Sequence, residues 1–256
     1  MDKECQDNQE MRDIKKIIIT ILLLLNIIQV DSQIRSGVIQ YERRINLLKR
    51  YPEMKMMIER RGGSTIKTDL FSLYFTDSST FFVPALDVPQ ERGMGWFTTS
   101  NSYQENLKTQ QRLMKLDFLG NFLYVEDSIK NIPWKYTENK RKIAGYNCRK
   151  AIWQKNDSTR IYAWYTEAIY PTCGPDGISG LPGAILGLAT EDGSLVYFAQ
   201  SIESKEINLD NLTPLFKRKK ALSYTEFKQT VNEIISQNER MKGLLRNLLW
   251  YQEQIQ

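Results

Sequence analysis

The sequence predicts a β-rich α+β fold: one antiparallel meander in a single sheet, followed by a C-terminal amphipathic helix. Three observations predict it. Short runs between residues 38 and 203 alternate apolar and polar residues at period two and are separated by turn residues. From Ser223 onward the apolar spacing changes to that of a helix. The chain also has the means to build a core, with 256 residues, 41% hydrophobic content and 10 Phe, 13 Tyr and 5 Trp.

The elements follow in order. Val38 to Ile45 is a first strand with Ile39, Tyr41 and Ile45 on one face. Tyr51 to Arg61 carries Met54, Met56, Met57 and Ile58, which suits one or two helical turns before Gly62-Gly63. Leu70 to Thr76 places Phe71, Leu73 and Phe75 on one face, and Asp77-Ser78-Ser79 turns the chain into Phe81-Phe82-Val83. Residues 84–109 show no clear period and read as a long loop or insertion. Met114, Leu116 and Phe118 alternate with polar residues, Gly120-Asn121 is a hairpin signal, and Phe122 to Asp127 returns. Further strands are expected over Trp134–Thr137, Cys148–Gln154, Arg160–Thr166 and Ile185–Thr190. A last hairpin turns at Asp192-Gly193 into Leu195–Glu203.

Both ends differ from this pattern. Arg12, Lys15 and Lys16 precede an apolar run from Ile17 to Ile28, and Val30 and Ser32 are small residues at a cleavage-type position. Residues 1–32 therefore read as a secretory signal peptide cut after Ser32, with Met11 the better start. The run is too short to span a bilayer, so no transmembrane segment is expected after cleavage. At the other end, Ser223 and Glu226 form a capping box. Phe227, Val231, Ile234, Ile235, Met241, Leu245, Leu248 and Leu249 continue at helical spacing to about residue 252. The expected organisation is signal peptide 1–32, β domain 33–222 and C-terminal helix 223–256 packed on that domain.

Composition closes several chemistries. The chain has no histidine, which excludes a Ser-His-Asp triad, a Cys-His pair and any His-ligated metal site. No nucleophile–base pair is recognisable, so a non-catalytic protein is expected, with no metal and no cofactor implied. Without residues 1–32 the chain keeps 31 Lys+Arg and 24 Asp+Glu. This mild excess reads as a solvated surface, and an export signal argues against nucleic acid as partner. Cys148 and Cys173 remain after cleavage. An even count in an oxidising compartment suggests one disulfide, worth about 3 kcal/mol for a loop of ~25 residues. Two buried free thiols are the alternative, and the spacing matches no metal motif.

The most strongly written stretch is Ala163 to Gly193. Gly174, Pro175, Gly177, Gly180, Leu181, Pro182 and Gly183 fall within ten residues, between aromatic and aliphatic strands. Glycine permits positive φ and proline fixes φ, so the segment could simply be a structural turn. Its alternative is a binding lip whose backbone N–H groups meet an anion or a partner strand. Tyr162, Trp164 and Tyr197 are a candidate aromatic face of an open sheet. For a hydrolase, the candidate acids are Glu167, Asp176, Glu191, Asp192 and Glu203.

IQYER at Ile39–Arg43, LYF at Leu73–Phe75, KIAGYNCRKA at Lys142–Ala151, AWYT at Ala163–Thr166, GP at Gly174–Pro175 and GLPGAIL at Gly180–Leu186 occur in that order. Together they resemble the GLPGLI family of exported bacterial proteins across residues 38–227, with Ala184 where the name motif has Leu. The resemblance implies a periplasmic or outer-membrane-associated protein of a Gram-negative organism and a β-rich fold akin to open half-barrels. It carries over no catalytic residue. The expected function is a non-catalytic envelope protein that binds a partner, such as an outer-membrane protein. The alternatives are a carrier of an apolar or lipid ligand and a carboxylate-dependent hydrolase.

Overall fold

A computed structural model describes residues 11, 15–16, 33–85, 100–118, 121–157, 159–213, 216 and 221–237. The chain divides into two units, Met1–Ser32 and Gln33–Gln256. In the first, Met11, Lys15 and Lys16 are helical and exposed. The rest of the expected signal segment lies outside the described residues, as do residues 86–99, the basic run 217–220 and the helix expected beyond residue 237.

The second unit is one mixed, open sheet of twelve strands. They are β1 (Gly37–Asn46), β2 (Ile66–Phe75), β3 (Ser79–Pro84), β4 (Ser102–Asn106), β5 (Gln111–Phe118), β6 (Asn121–Ser128), β7 (Lys135–Ile143), β8 (Tyr146–Asn156), β9 (Thr159–Thr166), β10 (Ala184–Thr190), β11 (Leu195–Ser204) and β12 (Leu222–Ser223). The order is β12-β6-β5-β4-β3-β2-β1-β11-β10-β9-β8-β7. Two antiparallel meanders, β1–β6 and β7–β11, are thus joined where β1 pairs with β11. Among the described strands, β12 pairs parallel, with β6, and the other neighbours pair antiparallel.

This order has a geometric consequence. Strands β6 and β7 are ten positions apart in the sheet, about 48 Å if it were flat. Residues 129–134 alone connect them, a reach of roughly 25 Å. The sheet must curl until its two ends approach, which gives an open half-barrel with an inside and an outside.

Strand parity sorts the residues between these sides. Tyr41, Phe71, Phe82, Tyr103, Met114, Val125 and Tyr197 follow one another through the registers on the inside, and all are buried. Phe71 stacks on Phe82 at 4.9 Å, and Tyr41 and Tyr197 meet Phe82 edge-on. Helices α1 (Leu47–Arg50) and α2 (Lys55–Arg61), with a 3-10 turn at Pro52–Met54 between them, add Leu47, Tyr51 and Ile58 to the core. Helix α3 (Tyr224–Gln237) adds Phe227 and Val231. Its capping box is formed: Glu226 accepts from the Ser223 backbone at 2.7 Å, and Ser223 Oγ accepts from the Glu226 backbone at 3.3 Å.

Three expectations are corrected. The stretch read as a loop from 84 to 109 contains β4, which buries Tyr103 and Glu105. Phe118 pairs with Asn121, so Asn121 opens β6 rather than serving in the turn. The strand expected over Trp134–Thr137 instead runs through the charged sequence to Ile143, because β7 is an edge strand that can leave such residues in water.

Candidate functional site

The glycine-proline segment lies inside the half-barrel. After β9 the chain passes through residues 167–183 before β10 begins. Strand β10 pairs with β11 only at Gly187–Ala189, and Cys173 forms a parallel bridge to Ala184. Bonds from several elements fix the segment. The Ile185 N–H donates to Cys173 O at 2.8 Å, and Tyr41 Oη donates to Ile185 O at 2.6 Å. Trp134 Nε1 donates to Ser179 O at 2.9 Å. Arg112 Nη2 donates to Gly177 O, and Tyr197 Oη donates to Asp176 Oδ2 at 2.5 Å.

The expected lip is therefore mostly not a surface. Gly174, Pro175, Gly177, Leu181 and Gly183 are buried, and only Gly180 and Pro182 are exposed. Gly183 shows why the sequence is needed: its φ is +106°, and a Cβ there would stand 2.1 Å from Thr166 O. Asp176 also holds positive φ, at 54°, while 2% exposed. The backbone thus adopts rare conformations to fit between strands.

Buried charges surround this plug. Glu105 accepts from Arg112 Nε at 2.8 Å and from Thr80 Oγ1 at 3.1 Å. Across the sheet, Asp69 accepts from Arg43 Nη2 and from Lys67 Nζ, each at 2.8 Å, and Arg43 lies over the Phe71 ring. Burial works to raise the Asp69 pKa. The charge of Arg43 and the hydrogen bonds from Lys67 and Arg43 outweigh it and hold the carboxyl below its usual range. None of these charged residues stands out in the sequence as a candidate. A signal was nonetheless present, since Arg43, Glu105 and Arg112 are in phase with Tyr41, Tyr103 and Met114.

The disulfide is corrected. Cys148 and Cys173 are free and buried. Cys148 is on β8 and Cys173 bridges β10 on the far side of β9. Burial pushes the Cys148 thiol up to about 11, against the opposing bond from the Ile143 backbone. Burial raises Cys173 further, with the Glu105 charge adding to it. Burial likewise raises Tyr41 well above a normal phenol, and the two cysteines reinforce it.

The candidate aromatic face is split between the two sides. Tyr197 is inside and fully buried. Tyr162 and Trp164 point outside, where the ring beside Trp164 is Phe198, at 6.2 Å. The candidate carboxylates are dispersed. Asp176 is inside; Glu167 pairs with Arg149 at 3.5 Å, Glu191 with Arg160 at 3.1 Å and Glu203 with Lys205 at 2.6 Å. Asp192 accepts from the Ser194 N–H in the β10–β11 turn, which holds its pKa low although burial alone would raise it. Among the described residues there is no group of three or more Cys, Asp or Glu placed to hold a metal ion. No helix among them is long and apolar enough to cross a membrane.

No family model and no curated protein matches the chain. Solved structures do. The chain is similar to PNGF-II in two crystal forms, with TM-scores of 0.51 and 0.54 at 17% and 18% identity. These matches cover 74% and 76% of this chain but only 31% and 32% of PNGF-II, so the chain spans about a third of that protein. An uncharacterized conserved protein from Thermus thermophilus matches with a TM-score of 0.41 at 10% identity, covering 80% of this chain and 99% of that one. The PNGF-II likeness concerns the fold.

Proposed function

We propose that this chain is an exported, non-catalytic protein of the bacterial cell envelope, of the GLPGLI type, which works by binding a partner on the outside of its sheet. The observation that carries this reading is the occupation of the half-barrel by residues 171–183. An apolar carrier uses the inside of such a sheet for its ligand. Here Pro175, Ile178 and Leu181 occupy that space, and their segment is tied to β5, β10 and β11. A pocket of about 660 Å³ at the β4–β5 end is lined by polar groups such as Gln104, Arg112, Glu126 and Asp127, which do not suit an acyl chain. Dispersed carboxylates, each with its own partner (Arg149 for Glu167, Arg160 for Glu191, Lys205 for Glu203, the Ser194 N–H for Asp192 and the Tyr197 hydroxyl for Asp176), give little support to hydrolysis by a carboxylate pair.

The experiment is expression in a Gram-negative host, fractionation and native mass spectrometry. Recovery from the periplasm or membranes, an N-terminus at Gln33 and an apo mass are expected. Cytosolic recovery with the first 32 residues attached, or a co-purified lipid, overturns the proposal.

A further inference from the structure

The sheet is open, and it ends at β7. At the opposite end, β6 is covered at Val125 and Glu126 by β12. Strand β7 pairs with β8, and no backbone bond reaches its other side among the described residues. The β7–β8 pairing has two regular stretches, Lys135–Tyr136 and Lys140–Ile143, with a shift between them. Within the shift, the Thr137 hydroxyl donates to Lys150 O at 2.9 Å and accepts from the Asn139 N–H at 3.4 Å. The longer regular stretch, Lys140–Ile143, keeps an open side. Every second residue of an edge strand turns its N–H and C=O away from its neighbour, toward water or an added strand.

Charge selects which strand could be added. Strand β7 carries Lys135, Lys140, Arg141 and Lys142 against Glu138 alone, and all five are exposed. None of the four cations pairs with a carboxylate among the described residues. Arg141 is held over Phe198 at 4.9 Å and Trp164 at 5.6 Å. Lys140 and Lys142, two positions apart, share the other face of the strand. A second copy of this chain would set lysines against lysines, which such an edge resists. An extended segment with acidic residues at alternate positions would set a carboxylate beside each lysine.

We infer that the open side of β7 at Lys140–Ile143 accepts an extended acidic segment of a partner protein, added as a further strand, with its acidic side chains beside Lys140 and Lys142. Backbone hydrogen bonds supply the attachment and the two lysines supply the selection. The inference rests on the proposed binding role and names the class of partner.

The test is fluorescence anisotropy of the full chain with a labelled peptide of alternating Glu and Val. A peptide of alternating Glu and Pro, with the same charge but no N–H at every second residue, is the comparison probe. Saturable binding of the Glu-Val peptide is expected, with slowed amide exchange at Lys140–Ile143. The Glu-Pro peptide should bind at least about tenfold more weakly. K140E/K142E should weaken Glu-Val binding by about tenfold, through two pairs turned repulsive. Lys108→Glu, an exposed change at the β4–β5 turn, should leave it within about twofold. If K140E/K142E disturbs the fold, as read by thermal melting, K140Q/K142Q replaces it, with a loss of about threefold. No saturable binding, equal binding of the Glu-Pro peptide, or equal weakening by Lys108→Glu overturns the inference. Failure here with correct export and an apo mass leaves the envelope reading standing. Cytosolic recovery removes that reading whatever the peptides do.

Discussion

At the scale of single residues, the glycine-proline segment is explained by close approach. A side chain at Gly183 would enter the Thr166 carbonyl, so Gly183→Ala should cost at least about 3 kcal/mol in urea denaturation. Gly180→Ala has its nearest neighbour at 3.5 Å and carries only the strain of φ at +93°, so its cost should be about 1–2 kcal/mol. Equal costs would mean that the buried fit is wrong. The two cysteines make a second prediction. Both thiols should resist iodoacetamide in the native protein at pH 8 and react on unfolding, with no reductant needed. The folded Cys148 pKa, about 11, exceeds its unfolded value of about 9. Its contribution is therefore full below pH ~9 and is lost as the pH rises toward 11, since the unfolded chain releases its proton first. Melting temperatures measured from pH 8 to 11 should fall. A flat profile would contradict the buried thiol.

At the scale of elements, most strands were legible because half-buried strands alternate at period two. What failed did so for identifiable reasons. Strand β4 carries Glu105 at an inside position, and an ion pair with Arg112 on the next strand makes that burial possible. Hydropathy along one strand cannot foresee a partner on another. The sequence suggests one aromatic face for Tyr162, Trp164 and Tyr197, yet Tyr197 lies opposite Leu188, while Phe198 lies opposite Gly187 and beside Trp164. One position of register changes the face, and register is set by pairing rather than by local sequence. The helix start was legible because a capping box is local. Ser223→Ala should lower stability by about 1 kcal/mol through the loss of the Ser223–Glu226 exchange. Chemical denaturation showing no loss would mean that the cap contributes nothing.

At the scale of the whole molecule, the curl of the sheet follows from a short connection between distant strands, and it becomes legible only once the strand order is known. Gly and Pro residues that read as an exposed turn become a plug once the curl supplies an interior. On the proposed reading, structure belongs to the inside and contact to the outside. The most direct test of that division is site-specific photocrosslinking in intact cells, with a benzophenone amino acid placed at Tyr162 on the outer face of β9 or at Pro182, an exposed point of the plug. Position 162 should give an adduct with envelope material, and position 182 should give none. An adduct from position 182 alone would contradict the division and return the functional surface to the glycine-proline loop.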